Sequence, residues 1–428
     1  MSRTDCSTKH PSWARTYSIQ RLILDGEHAH LLTGLAEIRI AESRVPSAER
    51  RRGSSMEMMS SEEKDYLSEL DAFGGYLTAI GYADCIGSYR NMPYDYTACE
   101  GYLRRVRSLL SHDLRTAVRL FALGESVESS EVECSGISAY LHALLHAGIL
   151  RDRAGRLSTD NLVCRVVEGC FLFVTNEFGG EIPAYFGDDS IKLTRHLGGF
   201  PGQHGLDVCC GSGIQSILMA RRGLSVVGLD IQKAALRLAR INSRINRIDH
   251  MVTFVHADVR EYRSEETYDV VVSNPPLLPI PSGMDYSVVG DGGESGLEIT
   301  NEVVRLFCKH ANSKAQAVVI GMCLGSGRSL ELVDWLETIA GPNSLSCQVW
   351  LLMQKDALSM GELSSLTSHV HFGGPYNAAL QQWVDMCAER GADHCYAFLL
   401  KLSRGYMPSS VAVIPLYERC ASNGWYVT

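Results

Sequence analysis

Residues 206–213 read Leu-Asp-Val-Cys-Cys-Gly-Ser-Gly, and Val270–Leu277 reads Val-Val-Val-Ser-Asn-Pro-Pro-Leu. The first is an apolar strand that enters a glycine turn and opens a helix. The second is an apolar strand stopped by an asparagine and two prolines. From Gly205 onward the two periodicities alternate. Strand runs are Leu206–Cys209, Ser225–Asp230, Val252–His256, Tyr268–Ser273, Ala315–Met322, Ser346–Met353 and Cys395–Leu402. Helical runs between them are Ile214–Arg222, Gln232–Asn246, Leu297–His310, Leu330–Ile339 and Ala378–Arg390. That alternation predicts an α/β fold, a seven-stranded, doubly wound, Rossmann-like sheet with helices on both faces.

A chain of 428 residues exceeds one ordinary core. The expected division is a helical region over 1–130, a winged-helix-like unit and strand linker over 131–180, and the α/β domain over 181–428. In Leu103–Leu123 apolar residues recur at three and four, while Val45–Ser61, with Pro46, Gly53 and several serines, reads as a flexible break. A helix with Ile137, Leu141, Leu144 and Leu145 on one face stops at Gly148, and two short strand-like runs flank Arg153-Ala-Gly155. Only His142 and His146 on that helix offer base contacts, so packing or a homodimer through the N-terminal domain is expected, not DNA reading.

The charge agrees. A net −9 is the wrong sign for a protein that holds nucleic acid by its phosphates. No run reaches the roughly 18 apolar residues of a membrane span, and the N-terminus lacks an apolar signal core, so a cytoplasmic location is expected. Among fourteen cysteines, Cys164, Cys170, Cys323 and Cys395 lie singly in apolar runs, where a thiol acts as a small hydrophobe. No C-x-x-C pairs with a second such motif, and no metal site is expected.

The strand ends carry the chemistry. Gly211 lets the backbone approach a ligand closely, and Gly213 opens a helix whose N–H groups face an anion. Asp230 closes the second strand, where a carboxylate accepts hydrogen bonds from ribose hydroxyls. Ile231 then lies against a purine face, and Asp258 with the Val259 N–H is placed for the purine edge. At the fourth strand the two prolines fix φ and present the Asn274 oxygen and the Pro275 carbonyl as a pair of acceptors. An amide, guanidine or amine nitrogen has two hydrogens to give them. Holding both draws its lone pair out of conjugation.

These motifs, in this order and spacing, resemble the class I S-adenosylmethionine (SAM) methyltransferases that act on planar nitrogen. Within that class the chain resembles the PrmC/HemK-type glutamine methyltransferases of peptide-release factors. The likeness runs through Asn274-Pro-Pro, Pro279-Ile-Pro281, Gly290-Asp-Gly-Gly-Glu-Ser-Gly-Leu-Glu298 and, more faintly, Glu181-Ile-Pro183, covering roughly residues 180–325. It implies SAM as cofactor, held by Asp207, Cys209, Gly211, Gly213, Asp230, Ile231, Asp258, Val259 and Asn274. It implies catalysis at Asn274, Pro275, Pro276 and Leu277.

There are departures. Cys209 stands where the family has its first glycine, and Leu277 where it has an aromatic that stacks on the acceptor. Ala184–Ser190 replaces its Arg-Pro-x-Thr-Glu segment. Tyr185, Phe186 and Tyr286 are candidate replacements for the aromatic. His310 and His371 read as structural, Glu294 as a helix N-terminal charge. The expected activity is N-methylation of a planar amide, guanidine or amine of a small metabolite or peptide. Alternatives are a protein-glutamine methyltransferase, a SAM-using enzyme that transfers the aminocarboxypropyl arm or cyclises SAM, and a non-enzymatic winged-helix protein with a vestigial SAM fold.

Overall fold

A computed structural model describes residues 61–87, 96–175, 184–200, 202–326, 329–405 and 409–416. Apart from Ser61, the break expected at 45–61 lies outside the described residues, as does Glu181-Ile-Pro183. The N-terminal part begins with helices α1 (Ser61–Ala79), α2 (Tyr82–Gly87), α3 (Tyr96–Val106) and α4 (His112–Ala117), the last running into a π turn at Val118–Ala122. A short strand β1 (Val127–Glu128) is followed by α5 (Ser129–Glu133), a 3₁₀ turn at Gly136–Tyr140, α6 (Leu141–His146), β2 (Arg151–Arg153) and β3 (Arg156–Ser158). The three strands form an antiparallel sheet in the order β1-β3-β2. The expected single helix from Ile137 is thus a 3₁₀ turn and a short α-helix. The tighter turn changes the phase, so Leu144 is buried while Leu145 faces outward.

Strands β4 (Leu162–Val167) and β5 (Cys170–Thr175) form a hairpin. Its two turn residues, Glu168 and Gly169, have φ of 51° and 73°, the left-handed pair that a two-residue hairpin needs. Phe73 of α1 meets Phe121 edge-on at 5.6 Å, and Phe121 meets Phe173 of β5 at 5.7 Å, so an aromatic chain runs from the helices to the hairpin.

The large sheet follows. Its elements are α7 (Asp188–Arg195), β6 (His204–Val208), α8 (Ile214–Arg221), β7 (Ser225–Asp230), α9 (Lys233–Ile245), β8 (Val252–His256), β9 (Tyr268–Ser273), α10 (Glu298–His310) and β10 (Ala311–Ser326). Then come β11 (Ser329–Leu330), α11 (Glu331–Ala340), β12 (Leu345–Asp356), α12 (Ala357–Phe372), α13 (Tyr376–Arg390), β13 (His394–Arg404) and β14 (Ser410–Pro415). The strand order is β14-β12-β13-β10-β9-β6-β7-β8, with β11 pairing β10. β8, β7, β6, β9 and β10 are parallel, and β13 lies antiparallel between β10 and β12. All seven expected runs are strands of this sheet. It holds two more, since β11 and β14 also join it. The serine-rich α12 was not expected.

Alternation along the strands explains why both faces are covered. Val270, Val272, Val318 and Ile320 pack with α8, α9, α12 and α13, while Val271, Val319, Leu206 and Val208 pack with α10 and α11. The connections reverse direction between β6 and β9. A crevice at such a switch point lies beyond the C-terminal strand ends.

One helix joins the two parts. α9 gives Leu238, Ile241 and Ile245 to the N-terminal core, and its Asn242 is fully buried. The Asn242 Oδ1 accepts from the Phe173 N–H at 2.8 Å, and its Nδ2 donates to the Phe173 and Ser212 carbonyls at 3.0 Å. Asn246 grips Phe171 N–H and C=O in the same way. The hairpin edge and the glycine turn therefore share a partner. No helix among the described residues is long and apolar enough to cross a membrane.

Candidate active site

The crevice is a cavity of about 610 Å³. The loop after β6 forms its floor. This turn takes left-handed φ three times, at Cys209 (58°), Gly211 (52°) and Gly213 (84°). The family's first glycine is therefore replaced at a position that still needs positive φ, a strain of about 1–3 kcal/mol held in the loop. At Gly211 an added Cβ would meet nothing closer than 3.9 Å, so this glycine leaves the backbone open to a ligand. At Gly213 it would press on Ala239 at 3.0 Å and Phe254 at 3.2 Å. Gly213 serves helix packing and does not line the cavity.

Asp230 ends β7 in the wall. Its Oδ2 accepts from the Gly211 N–H at 2.9 Å and its Oδ1 from the Gln232 N–H at 2.8 Å. Burial raises its pKa against those bonds. Ile231 beside it lines the cavity and is 51% exposed, an apolar face with nothing on it. Asp258, Val259 and Arg260 line the next edge, where Asp258 accepts from the Arg260 N–H at 2.9 Å.

Asp207 is placed differently from the expectation. It is wholly buried beneath the loop, outside the cavity wall, and its Oδ2 accepts from the Ser216 N–H at 2.8 Å and the Ser216 hydroxyl at 2.6 Å. It braces the first turn of α8. Burial pushes its pKa up to about 7, opposed by the Ser216 bonds.

Asn274 lines the cavity at the end of β9. Its Nδ2 donates to Asp189 Oδ2 at 3.2 Å and to the Ser190 hydroxyl at 3.0 Å. Its Oδ1 is buried and has no hydrogen-bond partner among the described residues. Pro276 also lines the cavity. Pro275 and Leu277 are buried and stay out of the wall, which corrects two expectations. The alternating extended chain turns every second residue inward. Leu277, 7% exposed, joins the core cluster, with its backbone against the returning loop at Gly292 and Gly296.

Beyond Leu277 the chain loops over the crevice and returns. The Leu278 N–H donates to Gly290 C=O, the Gly292 N–H to Leu278 C=O, and the Ile280 N–H to Gly293 C=O. Glycine is required here by contact. A Cβ at Gly296 would lie 2.6 Å from the Met322 carbonyl oxygen and 2.9 Å from that of Leu277. The loop supplies Ile280, Met284, Tyr286 and Val288 to the wall, and Tyr185 enters from the side of α7. Phe186 packs against the core instead. Glu294 lines the mouth and accepts from Arg390 at 3.0 Å.

Asp189, Ser190 and Gln215, with Met284 and Val288 of the loop, were not singled out as site residues from sequence. Their signal was faint, since Asp188-Asp189-Ser190 reads as an ordinary helix start. Among the described residues no cluster of His, Cys, Asp and Glu could hold a metal.

The family profile of the methyltransferase small domain matches residues 189–287, the stretch from α7 to the loop over the cavity. This stretch is a class I SAM-dependent methyltransferase domain of the PrmC/HemK type. The chain is 30% identical over 152 residues to the ribosomal protein uL3 glutamine methyltransferase of Bradyrhizobium diazoefficiens, which covers 31% of this chain and 46% of that one. It is 32% identical over 147 residues to the ribosomal protein L11 methyltransferase of Geobacillus kaustophilus, covering 33% and 43%. The chain thus spans about half the length of the curated relatives it matches. A solved phosphoethanolamine N-methyltransferase 2 of Haemonchus contortus aligns with this chain at 16% identity and a TM-score of 0.31, covering 51% of this chain and 55% of that one.

Proposed function

We propose that this chain transfers the methyl group of SAM to a planar amide nitrogen, with a glutamine side chain of a peptide or protein as the acceptor. The observation that carries this reading is the state of Asn274. Its N–H groups are tied back to Asp189 and Ser190, while its oxygen is a buried acceptor without a donor in a residue that lines the cavity, which supports a bound group as the missing donor. The names of the relatives favour glutamine over a small metabolite.

The residues present suit SAM. Each Asp230 oxygen accepts one backbone bond and keeps a lone pair for a ribose hydroxyl. Ile231 offers an apolar face, and the Gly211 backbone is open. When bound, SAM supplies a methyl group already activated on a sulfonium. The protein's part is position. Asn274 accepts one N–H of the acceptor amide and turns its lone pair toward the methyl carbon, S-adenosylhomocysteine leaves and one N–H proton passes to solvent, and such alignment supplies most of the rate. Tyr286 and Tyr185 stand in for the aromatic missing at Leu277, forming a wall for the flat acceptor.

With this goes a reading of the rest of the chain. The division expected at about 130 and 180 is kept: among the described residues, those before 130 are mostly helical, those from 131 to 175 hold a winged-helix-like unit with its hairpin, and those from 184 to 416 hold the methyltransferase domain. The β1-β3-β2 order with helices between β1 and β2 supports the second of these, with its first strand starting just before the boundary, at Val127–Glu128. The arginines of its wing are engaged by acidic neighbours, Arg151 and Arg153 by Asp160 and Arg156 by Glu128. That favours packing or a homodimer over duplex DNA.

The test is the by-product. With SAM and a glutamine peptide, S-adenosylhomocysteine and N5-methylglutamine are expected in equal amounts. Methylthioadenosine released without any acceptor would move the assignment to arm transfer or cyclisation.

A further inference from the structure

Asp189 is a buried carboxylate, 7% exposed, that the reaction as written does not use. It sits in the first turn of α7, 85 residues before Asn274. Three donors converge on it. Its Oδ1 accepts from the Ser190 N–H at 2.8 Å and the Tyr185 hydroxyl at 3.1 Å, and its Oδ2 from Asn274 Nδ2 at 3.2 Å. The second Asn274 N–H goes to the Ser190 hydroxyl at 3.0 Å.

A carboxamide can be turned over by 180° with little change of shape, exchanging its donor and acceptor ends. Asp189 forbids this. Turning Asn274 over would set its oxygen against a carboxylate oxygen, both acceptors, and would lose the bond to Asp189; the Ser190 hydroxyl could turn to donate, but the carboxylate could not. A charge-assisted bond is about twice as strong as a neutral one, and the flip would leave the buried Asp189 Oδ2 facing another acceptor. The bond to a carboxylate also polarises the amide, which makes Oδ1 the better acceptor. Burial raises the pKa of Asp189, opposed by the Ser190, Asn274 and Tyr185 bonds. Ser190 N–H and Asn274 Nδ2–H can only donate, so those partners suit the ionised form.

We propose that Asp189 is a positioning residue for the methyl transfer, holding Asn274 in the one orientation that offers its oxygen to the acceptor nitrogen. The proposal rests on the role given to Asn274 above. Tyr185 has a double duty in it: the ring lines the cavity, and the hydroxyl helps keep Asp189 in place.

Two measurements separate this proposal from the reading it rests on. The first needs no acceptor. In protein labelled with ¹⁵N-asparagine, the Asn274 side-chain signal is assigned by its loss in Asn274→Ala. In wild type saturated with SAM its hydrogens are expected to exchange slowly. In Asp189→Asn, whose single amide oxygen cannot serve both flanks, exchange is expected to accelerate at least about tenfold while SAM affinity holds within about threefold. An unchanged signal and exchange rate would overturn the proposal.

The second is a double-mutant cycle on kcat with a glutamine peptide. Asp189→Asn is expected to lower kcat by up to about 10²-fold, the scale for a misplaced reacting group. In the Asn274→Ala background it is expected to add almost nothing. Full multiplication of the two losses would give Asp189 an independent role and overturn the proposal. An Asn274→Ala enzyme at wild-type rate would instead remove the underlying reading. Tyr185→Phe, which keeps the ring, is expected to show a weaker form of the Asp189→Asn effect on exchange.

Discussion

The Asp230 carboxylate accepts a hydrogen bond from the Gly211 N–H at 2.9 Å, so the strand end that faces the cavity also clamps the glycine turn. Floor and wall are one unit. Asp230→Ala therefore removes a ligand contact and loosens the turn together. SAM affinity is expected to fall by about 1.5–3 kcal/mol, the range for hydrogen bonds to a charged group, or roughly 10- to 150-fold in Kd. Calorimetry on the folded variant reads this, and an unchanged Kd would remove Asp230 from the site.

Asp207 gives a pH signature. Its folded pKa is raised to about 7, above the roughly 3.9 of an unfolded aspartate. The folded state thus binds the proton more tightly, and the stability this gives is full below about pH 4 and lost as pH rises toward 7. The shift corresponds to as much as about 4 kcal/mol. Asp207→Asn cannot titrate and is expected to show a flatter dependence. Denaturant unfolding at pH 5 and pH 8 measures it. Equal pH dependence in the two proteins would contradict the burial argument.

Much of the site was legible because backbone demands leave marks in sequence. Asp230 and Asp258 sit at strand ends, and the strand pattern places strand ends directly. Gly211 and Gly213 mark positive φ, although Cys209 shows that a side chain can be forced into the same region. Leu277 was misread because the family's aromatic was assumed to keep its direction. Only the register of the extended chain decides which residue faces inward. Asp189 was invisible for a different reason. Its partner Asn274 lies 85 residues away, and nothing local distinguishes it from a helix-start aspartate. In the segment expected to be winged-helix-like, the 3₁₀ turn that sends Leu145 outward has no strong local signal.

The burial of Leu277 changes what a substitution there reports. Leu277→Tyr would push a larger ring into the packed core and is expected to cost about 1–3 kcal/mol of stability. It is not expected to restore stacking on the acceptor. Tyr286→Leu is the informative change. It is expected to leave SAM affinity intact and to lower kcat/KM for a glutamine peptide about fivefold, an effect on the order of 1 kcal/mol for a lost aromatic face. A stable Leu277→Tyr protein with improved turnover would show that position 277 reaches the acceptor after all.

The planar-nitrogen mechanism stands or falls on Asn274. Its oxygen contacts the acceptor in this account, while SAM is held by the loop after β6 and by Asp230. Asn274→Ala is therefore expected to bind SAM within about twofold of wild type. Turnover is expected to fall by about 10²–10³-fold, the loss seen when one contact made to the reacting group is removed. The decisive measurement is kcat and SAM Kd on the same preparation of Asn274→Ala. A collapsed kcat with an unchanged Kd is the predicted result, and turnover at the wild-type rate would contradict the mechanism.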